Sequence, residues 1–260
     1  MKKGLILLVF LTVLAVMSYG QTAADHIKAG DEAYAQLDDQ TALGHYLEAL
    51  KFEPQNYEAL WKTSRACVDI ADVIPATDKD AKQRQMKFYS DATSYANKAV
   101  AANANDTWGH FQIAASLGKK LLMLGKKEQI DGSKQVRAEI DKAIALDPNN
   151  DLAYHALGRW HRRMAEIGGV TRLFGSILYG SIPKGSFEES EKNLKKAAEM
   201  KPEYVNHHLE LGLTYVSLKK SGLAAQEFQK AIDLPKTTSK DDVLKAQAQA
   251  ELAKLTNKKK

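Results

Sequence analysis

Cysteine is almost absent from this chain. Its 260 residues include one, Cys67, so no internal disulfide can form. Cys67 shares a helical face with Leu60 and Ser64 and reads as a small buried hydrophobe. Proline is scarce too, at six residues, and glycine falls mostly between segments. That points to helices rather than strands. An excess of one charge is also missing. There are 37 Lys and Arg against 32 Asp and Glu, and 35 against 32 once Lys2 and Lys3 are set aside. The tail Lys258, Lys259 and Lys260 supplies that remainder, so no basic face for nucleic acid is expected.

Catalytic signatures are lacking as well. No glycine-rich phosphate loop, Cys-x2-Cys or His-Glu-x2-His occurs, and the sequence predicts no catalytic residue, no metal site and no cofactor. The adjacent His207 and His208 point to different sides of a helix, which cannot hold one metal from a single face. Long apolar runs are limited to one, Leu5 to Met17, broken only by Thr12. It falls short of the ~20 residues that a spanning helix needs. With Lys2 and Lys3 before it and Ser18, Tyr19 and Gly20 after it, residues 1–20 read as a signal peptide cut before Gln21. The mature chain is expected to be periplasmic or secreted.

What the chain does have is a repeat. Small or apolar, large or apolar, and alanine recur at offsets 0, 4 and 7, with a stop at offset 12. The copies are Ala42, Tyr46, Ala49, Pro54; Ala92, Ala96, Ala99, Ala104; Val136, Ile140, Ala143, Pro148; and Ser190, Leu194, Ala197, Pro202. A fifth is Ala224, Phe228, Ala231, with Pro235 one residue early. Offsets 0, 4 and 7 make one helical face, and the proline ends that helix. A second pattern precedes each copy, clearest as Tyr154, Leu157-Gly158, His161 and as His208, Leu211-Gly212, Tyr215. Its glycine slot falls at Gly30, Ser64, Ala114, Gly158 and Gly212. Together the two patterns resemble the tetratricopeptide repeat, a helix–turn–helix unit of about 34 residues.

The fold class predicted is therefore all-α, a helical-hairpin superhelix of about five repeats. The boundaries are 23–56, 57–106, 107–150, 151–204 and 205–238, with a capping helix over 239–256 and a basic tail over 257–260. Successive copies start 50, 44, 54 and 34 residues apart, so the second, third and fourth repeats are elongated between their two helices. Sixteen extra residues shared by two helices would lengthen each by roughly 12 Å. The inserts are apolar. One holds Val73, Ile74, Met86 and Phe88, and the next holds Leu121 to Leu124 and Ile130. The longest holds Ile167, Val170, Leu173, Phe174, Ile177, Leu178, Tyr179 and Ile182. They are expected to pack on each other, burying Phe174, or else to wall an apolar cavity. Ser186 with Glu189 forms a capping box, and Ser239 with Asp242 is expected to open the last helix.

The stretches "HALGRW" at 155–160, "RLFGS" at 172–176, "SFEESEKNLKKAAEMKPEY" at 186–204 and "AIDLP" at 231–235 resemble the regulator of microtubule dynamics family. The resemblance covers roughly residues 25–255. It implies tetratricopeptide-like repeats and a non-enzymatic binding role. Microtubule binding is not expected for an exported chain.

In stacked hairpins of this kind the first helix of each unit lines the concave face. Its inward positions are Glu58, Trp61 and Arg65, then Trp108, Phe111 and Ala115. Further along they are His155, Arg159, Arg162 and Arg163, then Leu209 and Leu213. The candidate groove residues are Trp61, Arg65, Trp108, Phe111, His155, Arg159, Arg162 and Arg163. Arginine forks suit carboxylates and phosphates, and tryptophan faces suit apolar groups. Arg159, Arg162 and Arg163 share one helical face, with Glu58 and Glu166 able to neutralise part of the cluster. A protein or peptide partner, acidic in character, fits this groove. The alternative is a lipid or amphiphile held against an insert wall of Leu173, Phe174, Ile177 and Leu178. A solvated basic face, with the tryptophans in the core, would explain the same residues without a ligand.

Overall fold

The structure, a computed structural model, describes residues 21–257. The predicted signal peptide lies outside the described residues. Among these residues there are twelve helices and no strand. They pair as α1 (Ala23–Ala35) with α2 (Asp39–Phe52), α3 (Tyr57–Asp72) with α4 (Ala81–Ala102), and α5 (Thr107–Leu121) with α6 (Lys126–Leu146). Next come α7 (Asp151–Ala165) with α9 (Phe187–Met200), and α10 (Val205–Ser217) with α11 (Ser221–Asp233). Helix α8 (Gly169–Tyr179) sits inside the fourth hairpin, and α12 (Asp241–Asn257) packs on α10 and α11. Each hairpin packs on the next, giving an all-α superhelix.

Local sequence explains the helix starts. Thr22, Asn56, Asp106, Asn150 and Ser186 each place a side-chain oxygen on a first-turn amide, which satisfies a donor the helix cannot. The glycine slot explains the close pairing. A Cβ at Gly158 would stand 2.5 Å from Leu194, and one at Gly212 would stand 2.5 Å from Phe228. Gly30 meets the Tyr46 ring in the same way. Tyr46, Leu194 and Phe228 hold the same repeat position and are fully buried. Burial of a side chain of that size stabilises by about 1.5–3 kcal/mol.

The inserts do not lengthen both helices equally. Helix α4 has 22 residues against 14 in α2, whereas α3 has 16 against 13 in α1. The eight extra residues make α4 about 12 Å longer than α2. Phe88 and Met123 join the core beside Cys67 and Tyr89, so the second and third inserts do pack together. The fourth does not join them. Phe174, expected to be buried, is 62% exposed. The reason is the tether: the Arg172 guanidinium donates to the carbonyls of Met164, Ile167, Ile182 and Pro183, at 2.5–3.3 Å. That fixes the polar side of α8 against the body and turns its apolar side out.

Ser239 also departs from expectation. The Asp241 carboxylate, not Ser239, accepts from the Thr237 and Thr238 amides, at 2.7 and 2.9 Å. The Ser239 hydroxyl instead donates to the Asp39 carboxylate of the first hairpin. Beside it, Lys240 Nζ lies 2.7 Å from Asp69 and 3.9 Å from Asp72. The loop before α12 thus closes the superhelix onto its own first turns.

Candidate functional site: a charged and apolar cavity on the concave face

Helices α3, α5, α6 and α7 enclose a cavity of about 550 Å³, within the usual range for a small-ligand pocket. One part of its lining is apolar: Leu121, Ile130, Trp160, Met164 and Ile182. Thr171 and Gly175 of α8 complete that wall. The other part is charged, with Arg65, Lys119, Lys126, Arg159, Arg163 and Lys240 against Asp69, Asp72 and Glu166, six basic groups against three acidic.

Within the charged part the pairing is uneven. Lys119 Nζ lies 2.7 Å from Asp72, and Arg159 Nε lies 2.8 Å from Glu210. Burial works against the Asp72 charge, but Lys119 and Lys240 outweigh it and hold the carboxyl below its ordinary value. Burial likewise opposes the Lys240 charge, and Asp69, with the nearby Tyr204, Asp72 and Tyr34, overcomes it, lifting the ammonium well above 10.5. Arg65 and Arg163 have no carboxylate partner among the described residues. The Arg65 guanidinium lies 3.6 Å from the centre of the Tyr34 ring and donates to the Tyr46 hydroxyl at 3.2 Å. Its buried Nε has no hydrogen-bond acceptor.

The predicted groove residues divide into three groups. Arg65, Phe111, His155, Arg159 and Arg163 line the cavity. Trp61 and Trp108 stand outside it, stacked at 5.1 Å with ring planes 17° apart and both half-buried. Arg162 is not a groove residue. It is buried between α7 and α10, where it donates to Glu210 and, at 2.9 Å, to Glu166. A side chain with two carboxylate partners is held by them, not by a ligand. Leu209 is likewise in the core. Leu173, Phe174, Ile177 and Leu178 do not wall the cavity; they face away from it and are 62–75% exposed.

His155 is buried at the cavity edge, with its Nδ1 3.0 Å from Nδ1 of His207. His207 Nε2 meets Asp151 at 2.9 Å, so His207 donates there and accepts from His155. Burial, followed by the neighbouring His207, holds His155 well below 6.5. His208 turns the other way, to Glu227 at 2.6 Å.

Sequence reasoning missed Tyr34, Asp69, Asp72, Lys119, Tyr204 and Lys240. The one available signal was the Asp69 and Asp72 pair, three residues apart in the otherwise uncharged last two turns of α3. Nothing local could place Lys240 opposite them. No group of His, Cys, Asp and Glu side chains among the described residues has metal-binding geometry. No described helix is long and apolar enough to cross a membrane.

Stacked hairpins around a concave cavity define a helical-repeat scaffold of the tetratricopeptide type. A thermophilic TPR protein from Thermus thermophilus shares the fold, with a TM-score of 0.61 at 16% identity over 89% of this chain and 100% of that one. The particular lineage follows from sequence: the chain belongs to the family of regulator of microtubule dynamics proteins 1–3, whose family model matches residues 26–256. Regulator of microtubule dynamics protein 1 of Bos taurus is 27% identical over 75% of this chain and 61% of its own length. The Homo sapiens protein is 26% identical over 76% and 62%, and the Caenorhabditis elegans protein 25% identical over 75% and 85%. The chain spans 61–65% of the length of the first mammalian relatives it matches.

Proposed function

We propose that this chain is a non-enzymatic carrier or sensor of an anionic amphiphile. One observation carries the reading: a single cavity joins unpaired Arg65 and Arg163 to an apolar wall of Leu121, Ile130, Trp160 and Met164. A carboxylate or phosphate head would satisfy the guanidiniums, and an acyl tail would cover the wall. A peptide lying along the concave face fits less well, because Lys240 and its loop occupy that face. A protein partner retains one foothold, the half-exposed Trp61–Trp108 stack outside the cavity. The relatives' names concern microtubule dynamics, and the reading of residues 1–20 as a leader argues against that target here. Export is part of the proposal, and an intact mass beginning at Gln21 is its measurement; retained Met1 would refute it.

The test of the cavity is native mass spectrometry and titration with a soluble fatty acid or short-chain phosphatidic acid. Arg163→Glu should weaken binding by about tenfold or more, the scale of one charge-assisted pair. Its thermal midpoint should stay unchanged, because Arg163 has no partner to lose. Arg162→Glu is unsuitable, since it would break the buried pair with Glu210. Equal affinity of Arg163→Glu and wild type would overturn the reading. Binding lost in a Trp61→Ala, Trp108→Ala pair instead would favour the protein-partner surface.

A further inference from the structure

Helix α8 presents four large apolar side chains on one side. Leu173 is 64% exposed, Phe174 62%, Ile177 75% and Leu178 72%. Their spacing makes a single stripe along the helix. The stripe is not a loose end, because Arg172 ties the opposite side to four carbonyls and Thr171 and Gly175 stand on the cavity wall. The outward direction is therefore built into the fold.

Charge selects the occupant. Residues 167–187 contain no carboxylate, and their charges are Arg172 and Lys184. Lys184 is exposed, as are Arg163 and Lys126 on the cavity rim, and none of the three forms an ion pair among the described residues. An apolar stripe beside unpaired cations suits an anionic lipid surface. A stable protein interface needs about 800 Å² from each partner, more than one face of an 11-residue helix supplies. A bilayer interface asks for no such area.

We propose that α8 docks in the interface of an anionic membrane, inserting Leu173, Phe174, Ile177 and Leu178 among the acyl chains. Docking brings the cavity wall to the level of the headgroups. The inference rests on the cavity reading for the cargo that would pass, while the docking itself rests on α8.

The experiment is flotation of the full chain with vesicles of phosphatidylcholine, with and without phosphatidylglycerol. Wild type should float with the anionic vesicles, and less so at high salt. The double variant Phe174→Ser, Ile177→Ser should lose vesicle affinity by about tenfold or more, since two buried apolar side chains are removed. Its thermal midpoint should be unchanged. Both proteins carry the same residues 1–20, so the difference reports on α8. Equal flotation of variant and wild type would overturn the proposal. A wild type that is dimeric in solution, with a monomeric variant, would also overturn it and assign the stripe to a second copy. The amphiphile titration uses no bilayer, so lost docking with retained cavity binding refutes this inference alone. Retained docking without cavity binding refutes the cargo alone.

Discussion

The centre of the superhelix and the α8 arm treat side chains in opposite ways. At the centre Arg162, Glu210, Asp69 and Lys240 are charged and largely buried. On α8, Phe174 and Ile177 are apolar and exposed. Hydropathy alone would reverse both placements. What separates the regions is the supply of partners. Each of these four meets an opposite charge from a distant segment, which offsets its desolvation. The apolar side chains of α8 meet none, because Arg172 holds the helix with its other side against the body. Burial in this chain follows the geometry of available partners.

The largest test of that contrast is Glu210→Ala. It leaves Arg159 without a carboxylate partner and Arg162 with Glu166 alone, in a largely buried site. The expected loss is about 3–5 kcal/mol, read as a lower urea midpoint with an unchanged slope. A loss under about 1 kcal/mol would mean that the pair is solvated and that the centre resembles a surface.

A smaller effect should appear with pH. Burial holds His155 and His207 neutral, His155 well below 6.5. Below pH 6.5 the unfolded chain gains protons that the folded chain does not, so stability should fall as the medium is acidified. Asp39 acts in the opposite sense. Burial and nearby Asp69 push its carboxyl up to about 6, so the folded chain gains its proton first between about 6 and 3.8. His155 faces His207, Tyr204, Arg159 and Lys240, none of them an acid that would hold a proton on it. Thermal midpoints from pH 7.5 down to 5.5 should therefore drop for wild type and drop less for His155→Gln. Parallel curves would remove the histidine pair from the account.

The smallest effect should come from Phe174→Ala. An exposed side chain without partners should change stability by no more than about 0.5 kcal/mol. A loss of about 3 kcal/mol would place Phe174 in a packed core and erase the contrast.

The parts legible in the sequence were those set by short spacings. The repeat spacing put Gly158 and Gly212 in one slot and Leu194 and Phe228 in another, and the structure packs each of these glycines against the large side chain of its own repeat. Ser186 caps α9 where its spacing put it, accepting from the Glu188 and Glu189 amides, but the box does not close through Glu189: the Ser186 hydroxyl donates to the Glu188 carboxylate. The site was legible only in part, because its pairs come from distant segments. Arg162 and Glu210 lie 48 residues apart, and Lys240 meets Asp69 across a larger gap. The sequence marked the α8 segment as apolar. It could not show which way the stripe turned, since that depended on carbonyls at 164, 167, 182 and 183 converging on Arg172.

The Ser239–Asp39 bond joins residues 200 apart in the chain. An open stack of repeats melts like a zipper, each unit answering only to its neighbours. This stack is fastened into a loop, so fraying at the last repeat is felt at the first. Closing so long a circuit carries an entropy cost that grows only slowly with its length. In exchange, the two ends of the array share contacts, and a cut before residue 239 would take the Ser239 and Lys240 partners away from α2 and α3.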